Sequence, residues 1–84
     1  MRVEMEIRNL PLHRLQEYLI EAGATQVAER PFLAENWQAE IVAMEPAKII
    51  TMTVRRDLVV IEGADEAVLA IHDFMRGKTM RGGG

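Results

Sequence analysis

Residues Arg2 to Arg8 alternate without a fault, with Val3, Met5 and Ile7 on one side and Arg2, Glu4, Glu6 and Arg8 on the other. A period of two predicts a strand with one buried and one solvated face. Asn9 and Pro11 then offer helix-start chemistry: a side chain able to cap free N–H groups, and a φ preset for the first turn. From there Leu12, Leu15, Tyr18, Leu19 and Ala22 share one face at helical spacing, opposite Arg14, Glu17 and Glu21. Gly23 is placed to end this helix in the left-handed conformation. A short strand is expected over residues 25–30, stopped by Pro31. The pattern breaks from Pro31 to Asn36, which reads as a loop carrying Phe32 and Leu33.

Trp37, Ala39, Ile41 and Ala43 alternate with Gln38 and Glu40 as a third strand, followed by a turn at Glu45-Pro46-Ala47. Two β-branched runs, Ile49 to Val54 and Leu58 to Glu62, read as a hairpin joined at Arg55-Arg56-Asp57. Ala64, Ala67, Val68, Ile71, Phe74 and Met75 line one face of a last helix that ends at Gly77. Asp65 and Glu66 occupy its first turn, where the helix dipole favours acids.

The predicted order is β-α-β-β-β-β-α: an α+β, two-layer domain with one antiparallel sheet of about five strands and both helices on one face. A ferredoxin-like unit is the alternative, although no strand follows the last helix. Residues 1–77 form the single domain and 78–84 a flexible C-terminal tail. With 84 residues the chain buries roughly 60–65% of its unfolded surface, enough for one core.

The hairpin region breaks the pattern of the first strand. Ile50, Met52 and Val54 lie opposite Ile49, and Leu58 and Val60 lie opposite Val59 and Ile61. A solvated antiparallel face should alternate more cleanly. Apolar residues on both faces imply a cover, and a homodimer through the open sheet face supplies one; β-branched propensity on an exposed hairpin is the plain alternative. Phe32, Leu33 and Trp37 pose the same question, since an apolar loop needs covering, by the core or by a partner or ligand. Six residues are therefore candidates for interface or ligand contact: Phe32, Leu33, Trp37, Ile50, Met52 and Val60.

Composition removes chemistry rather than adding it. The chain has no cysteine and no serine, which excludes disulfides, thiolate metal sites, redox motifs, cysteine nucleophiles and serine triads. A net charge of -3 argues against non-specific nucleic-acid binding. No apolar run has the length of a signal peptide or a membrane span, so a cytoplasmic protein without membrane contact is expected. Eight arginines against two lysines, two asparagines and three glutamines fit a heat-adapted source.

The polar residues do not converge. His13 and Glu17 stand one helical turn apart, a spacing open to a general-base pair or two metal ligands, but also to a plain solvated pair. His72 and Asp73 are neighbours on a helix and do not face each other. Gly77-Lys78-Thr79 mimics the end of a phosphate-binding loop, yet His72 stands where its first glycine belongs and the motif follows a helix instead of preceding one. Arg55 and Arg56 could hold a carboxylate or phosphate, or form a solvated turn. Met5, Met44, Met52 and Met75 fit plastic core filling, or an adaptable groove. No catalytic residue, metal site or cofactor is expected, and no enzyme activity.

The tail Arg81-Gly82-Gly83-Gly84 resembles the activated tail of ubiquitin-like sulfur carriers at Gly83 and Gly84. That resemblance implies a terminal carboxylate that is adenylated and becomes a thiocarboxylate. A β-grasp carrier, however, opens with a hairpin and reaches its diglycine from a strand, whereas this chain opens β-α and reaches it from a helix; a frayed terminus is the plain reading. Over residues 2–77 the element order resembles the TATA-binding-protein-like topology, and with the composition it is similar to a family of small proteins of Thermus-type thermophilic bacteria. This implies a fold and no activity. The basic saddle of the DNA-binding relatives is missing. The expected function is a non-enzymatic, homo-oligomeric protein-interaction or small-ligand-binding module, and the alternative is a carrier acting through the terminal Gly-Gly.

Overall fold

A computed structural model describes residues 1–82. Its elements are β1 (Arg2–Arg8), α1 (Leu12–Glu21), β2 (Thr25–Gln26), β3 (Pro31–Leu33), β4 (Trp37–Ile49), β5 (Met52–Gly63) and α2 (Asp65–Gly82). The fold is α+β, with a five-stranded sheet in the order β1-β5-β4-β3-β2. Every neighbouring pair is antiparallel. Met5 and Ile7 of β1, Phe32 of β3, Ile41 of β4, and Val59 and Ile61 of β5 form the sheet side of the core, against Leu15 and Leu19 of α1 and Val68 and Met75 of α2. Both helices therefore cover one face. Phe32 is fully buried there, and emptying its site to alanine would cost about 3–5 kcal/mol.

The helix ends follow from local chemistry. Ala24 N–H donates to the Leu19 carbonyl and Gly23 N–H to that of Ile20, at 3.1 and 3.0 Å. Gly23 holds φ 112, and the buried Ala24 packs near Leu19 as this C-terminal motif requires. The start of α1 differs from the expectation. Pro11 takes the capping position with no side-chain bond, while Asn9 adopts φ 57 and donates its N–H to the Arg55 carbonyl at 2.8 Å. Asparagine tolerates that left-handed conformation, so Asn9 serves the turn out of β1 rather than the helix.

Five strands are present, but their division differs from the expected one. The turn expected at Arg55-Arg56-Asp57 is mid-strand, and the turn expected at Glu45-Pro46-Ala47 is a bulge inside β4. The run of three charges reads as a tip only in one dimension. In the sheet, Arg56 faces Glu6 of β1 at 2.9 Å on one side, and Arg55 grips Asp57 at 2.6 and 3.2 Å on the other. Residues two apart share a face, so each charge finds its partner within the sheet. The true tip is Ile50-Thr51, closed by the pair Ile49–Met52. Ile50 has φ 57, a conformation in which a β-branched residue is an outlier, so no glycine or asparagine marks this turn in the sequence.

Two further boundaries move. The expected strand over 25–30 and loop over 31–36 resolve into a small hairpin, β2 and β3, with Pro31 as the first residue of β3. A proline is tolerated at a strand's first position because no ladder N–H is needed there. Helix α2 runs through Gly77 to Gly82, so residues 78–82 of the expected tail are helical. Gly77 is exposed and costs only about 1 kcal/mol in a helix. Lys78 ties this turn to Glu21 of α1 at 2.8 Å, and Thr79 bonds the Met75 carbonyl at 2.8 Å. Gly83 and Gly84 lie outside the described residues.

Candidate functional site

The face of the sheet away from the helices is built by the other parity of each strand. β1 contributes Arg2, Glu4, Glu6 and Arg8; β5 contributes Arg56, Leu58, Val60 and Glu62; β4 contributes Gln38, Glu40, Val42 and Met44. Pro31 and Leu33 extend it across β3. The β1 margin is charged and internally neutralised. Arg2 pairs with Glu4 and Glu62 at 2.7 and 2.8 Å, and Glu6 with Arg8 and Arg56 at 2.6 and 2.9 Å. Bonds from Arg56 and then Arg8 pull the Glu6 carboxyl from its ordinary 4.5 down to about 2.

Beside this charged margin runs an apolar stripe along β5 and β4. Leu33, Val42, Leu58 and Val60 line a shallow groove of about 470 Å³, with Arg2 and Glu62 at its end. Val60 is only 7% exposed, yet it belongs to this face and not to the core beneath the helices.

The stripe continues into an arm. Among the described residues no strand pairs with the outer side of β4 beyond Glu40, and β1 stops at Arg56 on the outer side of β5. From there to the tip the sheet is a two-stranded ribbon. The register passes from Met44–Arg56 to Ala47–Val54, so Glu45 and Pro46 together oppose the single residue Arg55. This extra residue resets the alternation. Ala47 and Ile49 consequently fall on the same face as Met44, beside Val54 and Met52. Ile50 is 97% exposed and Met52 66% exposed at the tip.

The six candidate residues are thus distributed unevenly. Leu33 and Val60 share the groove, and Ile50 and Met52 stand together at the distal tip. Phe32 points the other way, into the core, and offers no side-chain surface to a partner. Trp37 is half-buried against the core and borders a second hollow of about 340 Å³ with Leu33 and Gly63. The expected apolar loop is therefore part lid and part surface. Val42, Met44, Ala47 and Ile49 were not among the six, although Met44 was read as core filling or part of an adaptable groove. Val42 and Met44 reach this face by plain alternation, whereas Ala47 and Ile49 reach it only through the bulge. A proline inside a strand-like run is the one sequence signal that marks such a place.

The polar candidates stay apart. Arg55 and Arg56 lie on opposite faces, each engaged by a carboxylate, so they do not form a joint anion clamp. His13 and Glu17 are exposed on α1. Among the described residues no group of three His, Asp or Glu is placed to hold a metal ion. No helix among them is long and apolar enough to cross a membrane.

The sequence matches the model of the archaeal MoaD-like protein family over residues 3–84. The chain belongs to that family. The match of this archaeal MoaD-like protein is nearly full-length and takes in the three glycines Gly82, Gly83 and Gly84. No curated protein matches it. The architecture of this member is β1 followed by α1, with α2 after β5, and so differs from the hairpin-first β-grasp that the sulfur-carrier resemblance implies.

Proposed function

We propose that this domain is a carrier that works through its terminal glycines in the manner of the ubiquitin-like sulfur carriers. The observation that supports it is the family match over residues 3–84, which includes Gly83 and Gly84. The reacting group is the Gly84 carboxylate. It attacks the α-phosphate of ATP on an activating enzyme, pyrophosphate leaves, and a sulfur donor then displaces AMP to give the thiocarboxylate. No side-chain thiol or serine hydroxyl takes part in these steps, which accords with a chain lacking cysteine and serine. Glycine suits the reacting end because it is slim and unrestricted in φ and ψ.

Intact-mass measurement of protein purified from its native source tests this. A chain ending at Gly84 and carrying sulfur in place of one oxygen supports the reading, and removal of Gly83-Gly84 should abolish the modified species. A native chain ending elsewhere, or one that keeps its carboxylate with ATP, a sulfur donor and native extract, overturns it.

A second reading rests on the apolar groove: a non-enzymatic protein-interaction or small-ligand-binding module acting through the open sheet face. Its support is Val60, buried on a face that no helix covers. A thermal-shift screen against apolar and amphipathic metabolites tests it: a raised melting temperature that Val60→Lys abolishes supports the module, and an unmoved melt removes ligand binding.

A further inference from the structure

The open face carries a groove at one end and an exposed apolar tip at the other, on one continuous stripe. An isolated two-stranded ribbon is at best marginally stable in water. Here Ile49, Ile50 and Met52 remain exposed on it. We propose that the occupant of this face is a second copy of the same chain, packed face to face about a twofold axis, so that the arm tip of each protomer covers the Leu33–Val60 groove of the other.

Three observations argue for self-association over a foreign partner. The first is that the stripe is complementary to its own reversal. Met52, Val54, Arg56, Leu58 and Val60 alternate onto this face along β5, with the Met44–Arg56 pair at the middle. A twofold axis through that pair sets Met52 against Val60 of the second copy and Val54 against Leu58. An isologous interface uses one patch twice in this way.

Charge is the second observation. The protein carries -3 overall, but the ion pairs of Arg2, Arg8 and Arg56 with Glu4, Glu6 and Glu62 close within the face. A second copy therefore meets a margin that is neutral as a whole. Arg56 and Arg8, which lie in the axis row and approach their own counterparts, each arrive already paired with Glu6, and Glu40 in the groove stands outside these pairs.

Area is the third. Strands β1, β5, β4 and β3 of 7, 12, 13 and 3 residues, at about 3.3 Å per residue and about 4.8 Å apart, give a flat face on the order of 550 Å², close to the lower end of what each partner contributes to a standard stable interface. The bulge fits this account as well. By inserting one residue it keeps Ala47 and Ile49 on the face that would be buried, whereas a regular strand would turn them to the other side.

The test uses the full chain, whose lack of cysteine makes an engineered pair unambiguous. Light scattering at micromolar concentration should give twice the chain mass. Met52→Asp, at the tip, and Val60→Lys, in the groove, should each give a monomer; a native circular dichroism spectrum and a single cooperative melt, lowered by the loss of association, would show that the fold is retained, since neither residue lies in the cluster beneath the helices. Met52→Cys and Val60→Cys proteins, mixed and mildly oxidised, should form a mixed disulfide dimer. A wild-type monomer overturns the proposal and leaves the face to another partner. A dimer that survives both charged variants, or one that yields no mixed disulfide, overturns this arrangement.

Discussion

At the scale of single residues, a few positions hold conformations or charges that no other residue could supply. Gly63 has φ 152, and a Cβ built there would meet the Asn36 carbonyl oxygen and lie 2.6 Å from Trp37 Cα. Both are backbone atoms, which cannot step aside. Gly63→Ala should therefore destabilise the fold by roughly 2–3 kcal/mol, read as a lower midpoint in urea. Asp57 is fully buried with its two oxygens held by Arg55. Arg55→Ala strands that carboxylate, and the expected loss is about 2 kcal/mol, measured by the same midpoint.

Glu6 supplies the pH dependence. Its carboxyl falls from 4.5 to about 2 on folding, because the charged form accepts from Arg56 and Arg8. The stability that it contributes is complete above pH 4.5 and lost as pH falls through 2. A Glu6→Gln variant should melt below the wild type at neutral pH, and the two should converge near pH 2. A gap that stays constant across this range would refute the assignment.

At the scale of elements, the alternation of polar and apolar positions did most of the work where an element has one wet and one dry face. β1, α1 and the first turns of α2 were legible for that reason: Val3, Met5 and Ile7, or Leu15 and Leu19, can point only one way. The arm was not legible, since a ribbon exposed on both faces has no pattern to read. Charges at Arg55 and Asp57 imitated a turn, while the real turn at Ile50 lacks turn residues. Pro46 decides the arm's register. Deleting it should turn Ala47 and Ile49 toward the opposite face. Amide chemical shifts should then change over residues 42–56 and stay fixed in β1, α1 and α2; changes throughout the domain would mean that the bulge also supports the core.

At the scale of the whole molecule, stability is concentrated at the helix-covered end, where Ile41, Val59 and Ile61 are fully buried. The arm is held only by its own ladder. Its amides from Lys48 to Val54 should therefore exchange with solvent faster than those of Val59 to Ile61 in dilute protein, through local opening. Their protection should rise with protein concentration as the faces associate. Concentration-independent exchange in the arm would contradict the face-to-face pairing.

Hydrophobic periodicity alone determined the α+β class, the order β-α-β-β-β-β-α and most of the core, because burying one face of each element is a local requirement written in spacing. The missing cysteine and serine likewise determined what chemistry the domain cannot perform. Tertiary structure decided the rest: which strand pairs with which, that Phe32 turns inward while Leu33 turns outward, and that the apolar stripe is continuous. Those features depend on cross-strand register and on one inserted residue at Pro46. Register is a relation between distant segments, and no single segment contains it.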